Sequence, residues 1–133
     1  MTSRRDEQST SVTDPSPSNK PIRLTDRAEL TDLIDSDSPV LIDFYTKGCT
    51  LCQSLEPVLG NVARATGITV GMINPQFDFE LVESHAIRSV PTLIVFENGT
   101  EVGRLAEGFQ GTDAVVDFVS EHVGEGGNTP TER

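Results

Sequence analysis

Two cysteines are the first residues whose type and spacing could do chemistry. They stand as Cys49-Thr50-Leu51-Cys52 and are the only cysteines among 133 residues. The thiolate, not the thiol, is the nucleophile, and a helix N-terminus favours it through free backbone N–H groups and the positive dipole end. If the pair opens a helix, Cys49 occupies that terminus and Cys52 lies one turn deeper on the same face. The spacing lets the two sulfurs close a disulfide and divides the work between them. Cys49 attacks a substrate disulfide, and Cys52 resolves the mixed disulfide. Cys52 also aligns with Leu55 and Leu59 on an inner stripe, so it is expected to be the more buried thiol.

A resolving thiol must lose its proton, and Asp43 is the candidate acceptor. It stands inside the apolar run Val40-Leu41-Ile42-Asp43-Phe44-Tyr45, six residues before Cys49. Burial disfavours the charged carboxylate and raises its pKa, which suits a proton acceptor for a buried thiol. A third feature is Val90-Pro91-Thr92 ahead of an apolar strand. Proline at a strand's first position is tolerated, and a cis bond there would leave backbone groups of Val90 free to pair with an extended peptide.

Elements must exist to hold these groups in place. Ile22-Arg23-Leu24 reads as a short strand, and Asp26 with Glu29 as the cap of a helix reaching Ile34. Pro39–Tyr45 is nearly continuous apolar sequence, the mark of a strand buried on both faces. From Cys49, residues Leu51, Leu55, Val58, Leu59 and Val62 follow helical spacing, with Pro57 expected to kink that helix. Gly67–Ile73 reads as a strand, Phe77–His85 as a short helix and Thr92–Phe96 as a strand. Asn98-Gly99 marks a tight hairpin into Thr100–Leu105. Thr112 is expected to cap a last helix that places Val115, Phe118, Val119 and His122 on one face. Strand–helix alternation followed by a hairpin predicts an α/β chain with a mixed central sheet flanked by helices on both faces.

Composition bounds the partners. Twenty-one Asp and Glu against ten Lys and Arg give a net charge of −11, which argues against nucleic acid or an anionic membrane as partner. No apolar run approaches the roughly 18 residues that span a bilayer, and no apolar segment follows the first arginines as in a secretion signal. A soluble, cytoplasmic, monomeric protein is expected. Residues 1–20 and 124–133 lack apolar periodicity and read as disordered tails around one domain at 21–123. That domain holds 16 Asp and Glu but six Lys and Arg, so the acid belongs to the folded part. Lysine is scarce, with Lys20 and Lys47 against eight arginines. Crowded carboxylates repel little where salt shortens the Debye length to about 3 Å, so a salt-rich cytoplasm is expected.

The stretch VLIDFYTKGCTLCQSLEPVL resembles the active-site region of the thioredoxin family, with strand, buried Asp, Cys-x-x-Cys and a helix proline in order. IRSVPTLIVFENG resembles that family's segment of cis-proline, strand and turn, and Gly108 matches the glycine that borders its substrate groove. The likeness covers residues 22–123. It implies the thioredoxin fold and a thiol–disulfide oxidoreductase that reduces protein disulfides and draws electrons from a disulfide reductase. It implies Cys49 as nucleophile, Cys52 as resolving thiol, Asp43 as proton acceptor, and a cis Pro91 with Val90 as a backbone contact. No cofactor is implied beyond the redox-active Cys49–Cys52 disulfide. Thr50, Leu51, Val90, Pro91 and Gly108 form the expected substrate contacts.

The chain departs from the family at two places. Thr50-Leu51 stands where Gly-Pro is usual, preceded by glycine and with no Trp in the chain. The lysine usual near the buried Asp is absent from Val70-Gly71-Met72-Ile73. Alternatives are a glutaredoxin-like or oxidising exchange protein, and a non-enzymatic adaptor or metal-cluster module of the same fold. A closed zinc site needs four ligands, and one Cys pair with the distant His85 and His122 does not supply ligand spacing. Asp35, Asp37, Asp78 and Glu80 read as solvated surface acids.

Overall fold

Five consecutive buried residues form the centre of the molecule. In the computed structural model, which describes residues 20–36, 38–76 and 78–123, Val40–Phe44 is the strand β2 and every one of its residues is buried. Before it come β1 (Ile22–Leu24) and α1 (Arg27–Ile34); after it come α2 (Thr50–Thr66), β3 (Thr69–Ile73) and α3 (Phe79–Ser84). The hairpin β4 (Thr92–Glu97) and β5 (Thr100–Leu105) leads to α4 (Thr112–His122). The sheet order is β1-β3-β2-β4-β5. β3 runs parallel to both β1 and β2, whereas β4 is antiparallel to β2 and β5 to β4. This is the mixed sheet that crossover helices followed by a hairpin demand.

Alternation along β2 sorts the core into two layers. Leu41 joins Leu55, Leu59, Val62, Val115 and Phe118 on the face covered by α2 and α4. Val40, Ile42 and Phe44 join Leu30, Ile34 and Leu81 on the face covered by α1 and α3. Asp43, two residues from Leu41, therefore points to the α2 side. Gly71 lets the opposite layer close: a Cβ there would stand 2.8 Å from Leu33 Cδ2 and 3.0 Å from Ile42 Cδ1.

Local chemistry sets the element ends. Asp26 accepts from Glu29 N–H at 2.9 Å, and Glu29 reaches back to Thr25 N–H at 2.7 Å, so both residues cap α1. α2 runs as one helix through Pro57 and ends at Gly67, whose left-handed conformation delays β3 to Thr69 rather than Gly67. Asp78 caps α3 by accepting from Leu81 N–H at 3.1 Å, and His85 closes it, which leaves a shorter helix than 77–85; Phe77, like Asp37, lies outside the described residues. Asn98 and Gly99 both adopt positive φ, as the two-residue turn between β4 and β5 requires. Thr112 is not the cap of α4. Gly111 is, without a side-chain bond, and Thr112 is the first helical residue, its hydroxyl accepting from Asn61 Nδ2 at 3.3 Å. The expected tails at 1–20 and 124–133 lie, Lys20 aside, outside the described residues.

Candidate active site

β2 ends at Phe44, the chain turns through Thr46–Gly48, and α2 starts immediately after Cys49. Cys49 is the N-cap residue: its backbone is extended and its sulfur accepts a hydrogen bond from Cys52 N–H at 3.1 Å. A sulfur thus takes the role that a Ser or Asp oxygen usually fills at a helix start. Cys49 and Cys52 form a disulfide with Cα atoms 5.2 Å apart. Cys49 is half-buried, whereas Cys52 is only 4 % exposed on the inner stripe with Leu55 and Leu59.

Asp43 is wholly buried, and neither carboxylate oxygen has a hydrogen-bond partner. Burial pushes its pKa up to about 7; the Glu56 carboxylate adds to the rise and the Arg23 guanidinium opposes it. Met72 is its register partner on β3 and Leu93 its partner on β4, so both strand neighbours are uncharged. On the α2 side a cavity of about 150 Å³ is lined by Cys52, Met72, Tyr45, Arg23 and Glu56. Arg23 pairs with Glu56 and with Tyr45 Oη at 3.4 Å.

The remaining expected contacts come from the start of β4, the loop before α4 and the first turn of α2. The Val90–Pro91 bond is cis, Pro91 is buried, and Thr92 begins β4 opposite Phe44. A Cβ on Gly108 would stand 3.7 Å from Leu51 Cδ1, which brings the loop before α4 against the first turn of α2. Leu51 and Phe109, the residue after Gly108, are each nearly half exposed and form an apolar rim at that contact. Thr50 is exposed next to Leu51.

Three groups near this site escape sequence reasoning: Arg23, Glu56 and Phe109. Glu56 could have been found, since it follows Cys52 by one helical turn. Arg23 could not, because only the β1–β3 register brings it here. His85 and His122 lie elsewhere. His85 sits between Phe44 and Phe96, with ring centroids 5.5 and 5.8 Å away, and His122 Nδ1 is 2.8 Å from Phe118 O. Of the surface acids, Asp78 and Glu80 pair with Arg27, and Asp35 closes α1.

A Cys-x-x-Cys disulfide at a helix start, with a buried carboxyl on the preceding strand and a cis proline opening the strand paired to it, defines a thiol–disulfide oxidoreductase. The family model for thioredoxin matches residues 21–121. The chain belongs to the thioredoxin family, and its redox couple is Cys49–Cys52. It is 36 % identical over 104 residues to a thioredoxin of Mycobacterium tuberculosis, covering 77 % of this chain and 89 % of that one. It is 31 % identical over 117 residues to a bifunctional thioredoxin reductase/thioredoxin of Mycobacterium leprae, covering 86 % of this chain and 25 % of that one. Among solved structures, a single-site mutant of thioredoxin from Halobacterium salinarum superposes with a TM-score of 0.74 at 32 % identity. That match covers 82 % of this chain and 95 % of the other. Among the described residues, no helix is long and apolar enough to cross a membrane.

Proposed function

We propose that the chain reduces protein disulfides, with Cys49 as nucleophile, Cys52 as resolving thiol and Asp43 as proton acceptor. The Cys49 thiolate attacks one sulfur of the substrate disulfide; a Cys49–substrate bond forms and the other substrate sulfur leaves as a thiolate that takes up a proton. Cys52 passes its proton to Asp43 and attacks Cys49 Sγ. The mixed disulfide breaks, the second substrate sulfur leaves as a thiolate that takes up a proton, and Cys49–Cys52 is left oxidised. Two electrons have moved to the substrate, and a disulfide reductase returns them. The Mycobacterium leprae relative that joins a reductase to a thioredoxin in one chain supports that donor. The cycle uses no cofactor beyond the disulfide itself.

The observation that carries this reading is the asymmetry of the sulfurs: Cys49 half-buried at the helix cap, Cys52 enclosed one turn below. Thr50, Leu51, Val90, Pro91 and Gly108 are the substrate's contacts, with the Val90 backbone pairing to an extended peptide. The protein acts as a cytoplasmic monomer, one domain over 21–123 with tails on either side, in a salt-rich cell. Insulin reduction by dithiothreitol tests the chemistry. Wild type accelerates precipitation, Cys49→Ser does not, and Cys52→Ser accumulates the mixed disulfide. Equal rates for wild type and Cys49→Ser would end the reading. The direction of flow is tested by the couple's potential: a value near the roughly −270 mV of thioredoxin marks a reductant, one near about −120 mV an oxidant.

A further inference from the structure

Asp43 belongs to a row of register partners that reaches β1 through β3. Arg23 on β1 is in register with Met72 on β3, and Met72 with Asp43 on β2. Two strand spacings of about 4.8 Å separate the backbones of Arg23 and Asp43 by roughly 10 Å. All three side chains face α2, since Ile22 and Leu24 pack into the opposite layer and Met72 into this one. From α2, Cys52 and Glu56 stand one turn apart along the same helix and line the same cavity as Arg23 and Met72. Arg23 is part of the cavity's lining. It pairs with Glu56, donates to Tyr45 Oη at 3.4 Å, and lies 5.9 Å from the Tyr45 ring centroid.

We propose that Arg23 and Glu56 are positioning residues for the exchange reaction: a bridged cation and anion lining the cavity beside Cys52, on the face of the sheet towards which Asp43 points, acting in opposite directions on the proton that passes from Cys52 to Asp43. The proposal rests on Asp43 being the acceptor. Among the described residues, the charged groups that act on Asp43 are Arg23 from β1 and Glu56 from α2. The cavity that these two line also carries Tyr45, Lys47 and Cys52, and β3 and β4 present Met72 and Leu93 to Asp43. When Cys52 gives up its proton, the carboxylate becomes a carboxylic acid, so Asp43 must start ionised. A nearby cation favours that starting form and a nearby anion disfavours it, as the opposed influences of Arg23 and Glu56 on Asp43 reflect. The pair is 55 % and 45 % exposed, so it contributes little to stability, and its removal leaves the fold intact.

Opposite signs separate this role from a structural one. Breaking an ion pair from either side has the same consequence if the pair only holds β1 to α2. Here Arg23→Gln leaves Asp43 protonated to higher pH, and the acid limb of kcat/KM for insulin reduction moves up by about half a pH unit at low salt. Glu56→Gln moves it down by a similar amount. Arg23→Lys keeps the charge and restores the wild-type profile, and the double Gln variant lies between the singles. The Asp43 carboxyl carbon, followed by NMR in protein labelled with ¹³C-aspartate, titrates with the same pattern in the oxidised state. Shifts of one sign in both singles, or none while Asp43 still titrates near neutrality, would overturn the role of the pair and leave Asp43 as acceptor. An Asp43 carboxyl that titrates as an ordinary surface acid would overturn the acceptor itself.

Discussion

The sulfur of Cys49 accepts the Cys52 backbone N–H at 3.1 Å, so the atom that closes the disulfide is also the cap of α2. The nucleophile's position is therefore set by helix geometry rather than by a flexible loop. The donor helix end stabilises negative charge on that atom once the disulfide opens.

The cap predicts a stability difference that redox chemistry alone does not. In a Cys52→Ala background no disulfide can form, and only the capping bond distinguishes Cys49→Ser from Cys49→Ala. Serine supplies an oxygen to the same N–H; alanine supplies nothing. The serine double variant is expected to be more stable by about 1 kcal/mol in urea unfolding. Equal stabilities would show that the sulfur does not cap.

Asp43 predicts a pH dependence whose sign is unusual for a carboxylate. Its folded pKa, about 7, lies above the ordinary value of 3.8. Between these values the folded chain holds a proton that the unfolded chain has released, so stability falls as pH rises from about 4 to 7 and levels off above. Asp43→Asn removes the titration. That variant is expected to be more stable than wild type at pH 8 by a few kcal/mol (the full shift corresponds to about 4), with the difference shrinking as pH falls from about 7 to about 4. Its rate of protein-disulfide reduction is expected to fall at least about tenfold, because general base assistance typically contributes more than that. Unfolding curves that run parallel at pH 4 and pH 8 would refute the burial of an ionisable group.

How far the sequence carries the fold can be seen residue by residue. The run around Asp43, the helical stripe after Cys49 and the Asn98-Gly99 turn are local signals with local causes, and each element stands where its pattern puts it. Thr112 misled because a hydroxyl at a helix start is a statistical cap, and here Gly111 precedes it while Asn61 engages it. Gly67 reads equally as strand or cap until the chain's left-handed turn is seen. The cysteines and the buried carboxyl were legible because each carries its chemistry in its own type and position. Arg23 and Phe109 were not, since strand register and loop packing bring them to the site, and neither leaves a periodic trace.

Gly71 predicts a packing cost on the layer away from the site. Alanine there would place its Cβ 2.8 Å from Leu33 Cδ2, 3.0 Å from Ile42 Cδ1 and 3.1 Å from Leu24 Cδ1. Three side chains from three elements would have to shift together. Gly71→Ala is expected to cost about 1–3 kcal/mol in equilibrium unfolding. A companion Leu33→Ala change should recover part of the loss by opening the closest contact.

Two exposed phenylalanines provide a matched test of the substrate rim. Phe109 follows Gly108 beside Leu51, whereas Phe79 lies on α3 and is 77 % exposed. Changing either to serine removes an exposed ring and should alter stability by less than about 0.5 kcal/mol. Phe109→Ser is expected to raise KM for a protein disulfide several-fold while leaving the Cys49–Cys52 potential unchanged. Phe79→Ser should leave KM as it is. Equal effects from the two would show that the rim beside the disulfide has no special hold on substrate.

The surface charge predicts how the protein responds to salt. Residues 21–123 carry 16 acids against six bases, so most of these carboxylates have no cation to match them. Such an excess repels itself over the roughly 10 Å Debye length of 0.1 M salt, but hardly at all over about 3 Å at 1 M. Screening should therefore raise the thermal midpoint, by about 5 °C or more between roughly 0.05 and 2 M KCl, since 1 kcal/mol is worth about 4–8 °C in a domain of this size. General salting-in or salting-out acts on any protein, so a control is needed. Asp32, Asp117 and Glu121 are exposed on their helices, and at Asp32 and Glu121, in the last turns of α1 and α4, lysine also meets the dipole favourably. Changing all three to lysine should raise the midpoint in dilute buffer and flatten its dependence on KCl. If the midpoint of the wild type stayed constant with salt, or the triple variant kept the full slope, repulsion among these acids would not be what salt relieves.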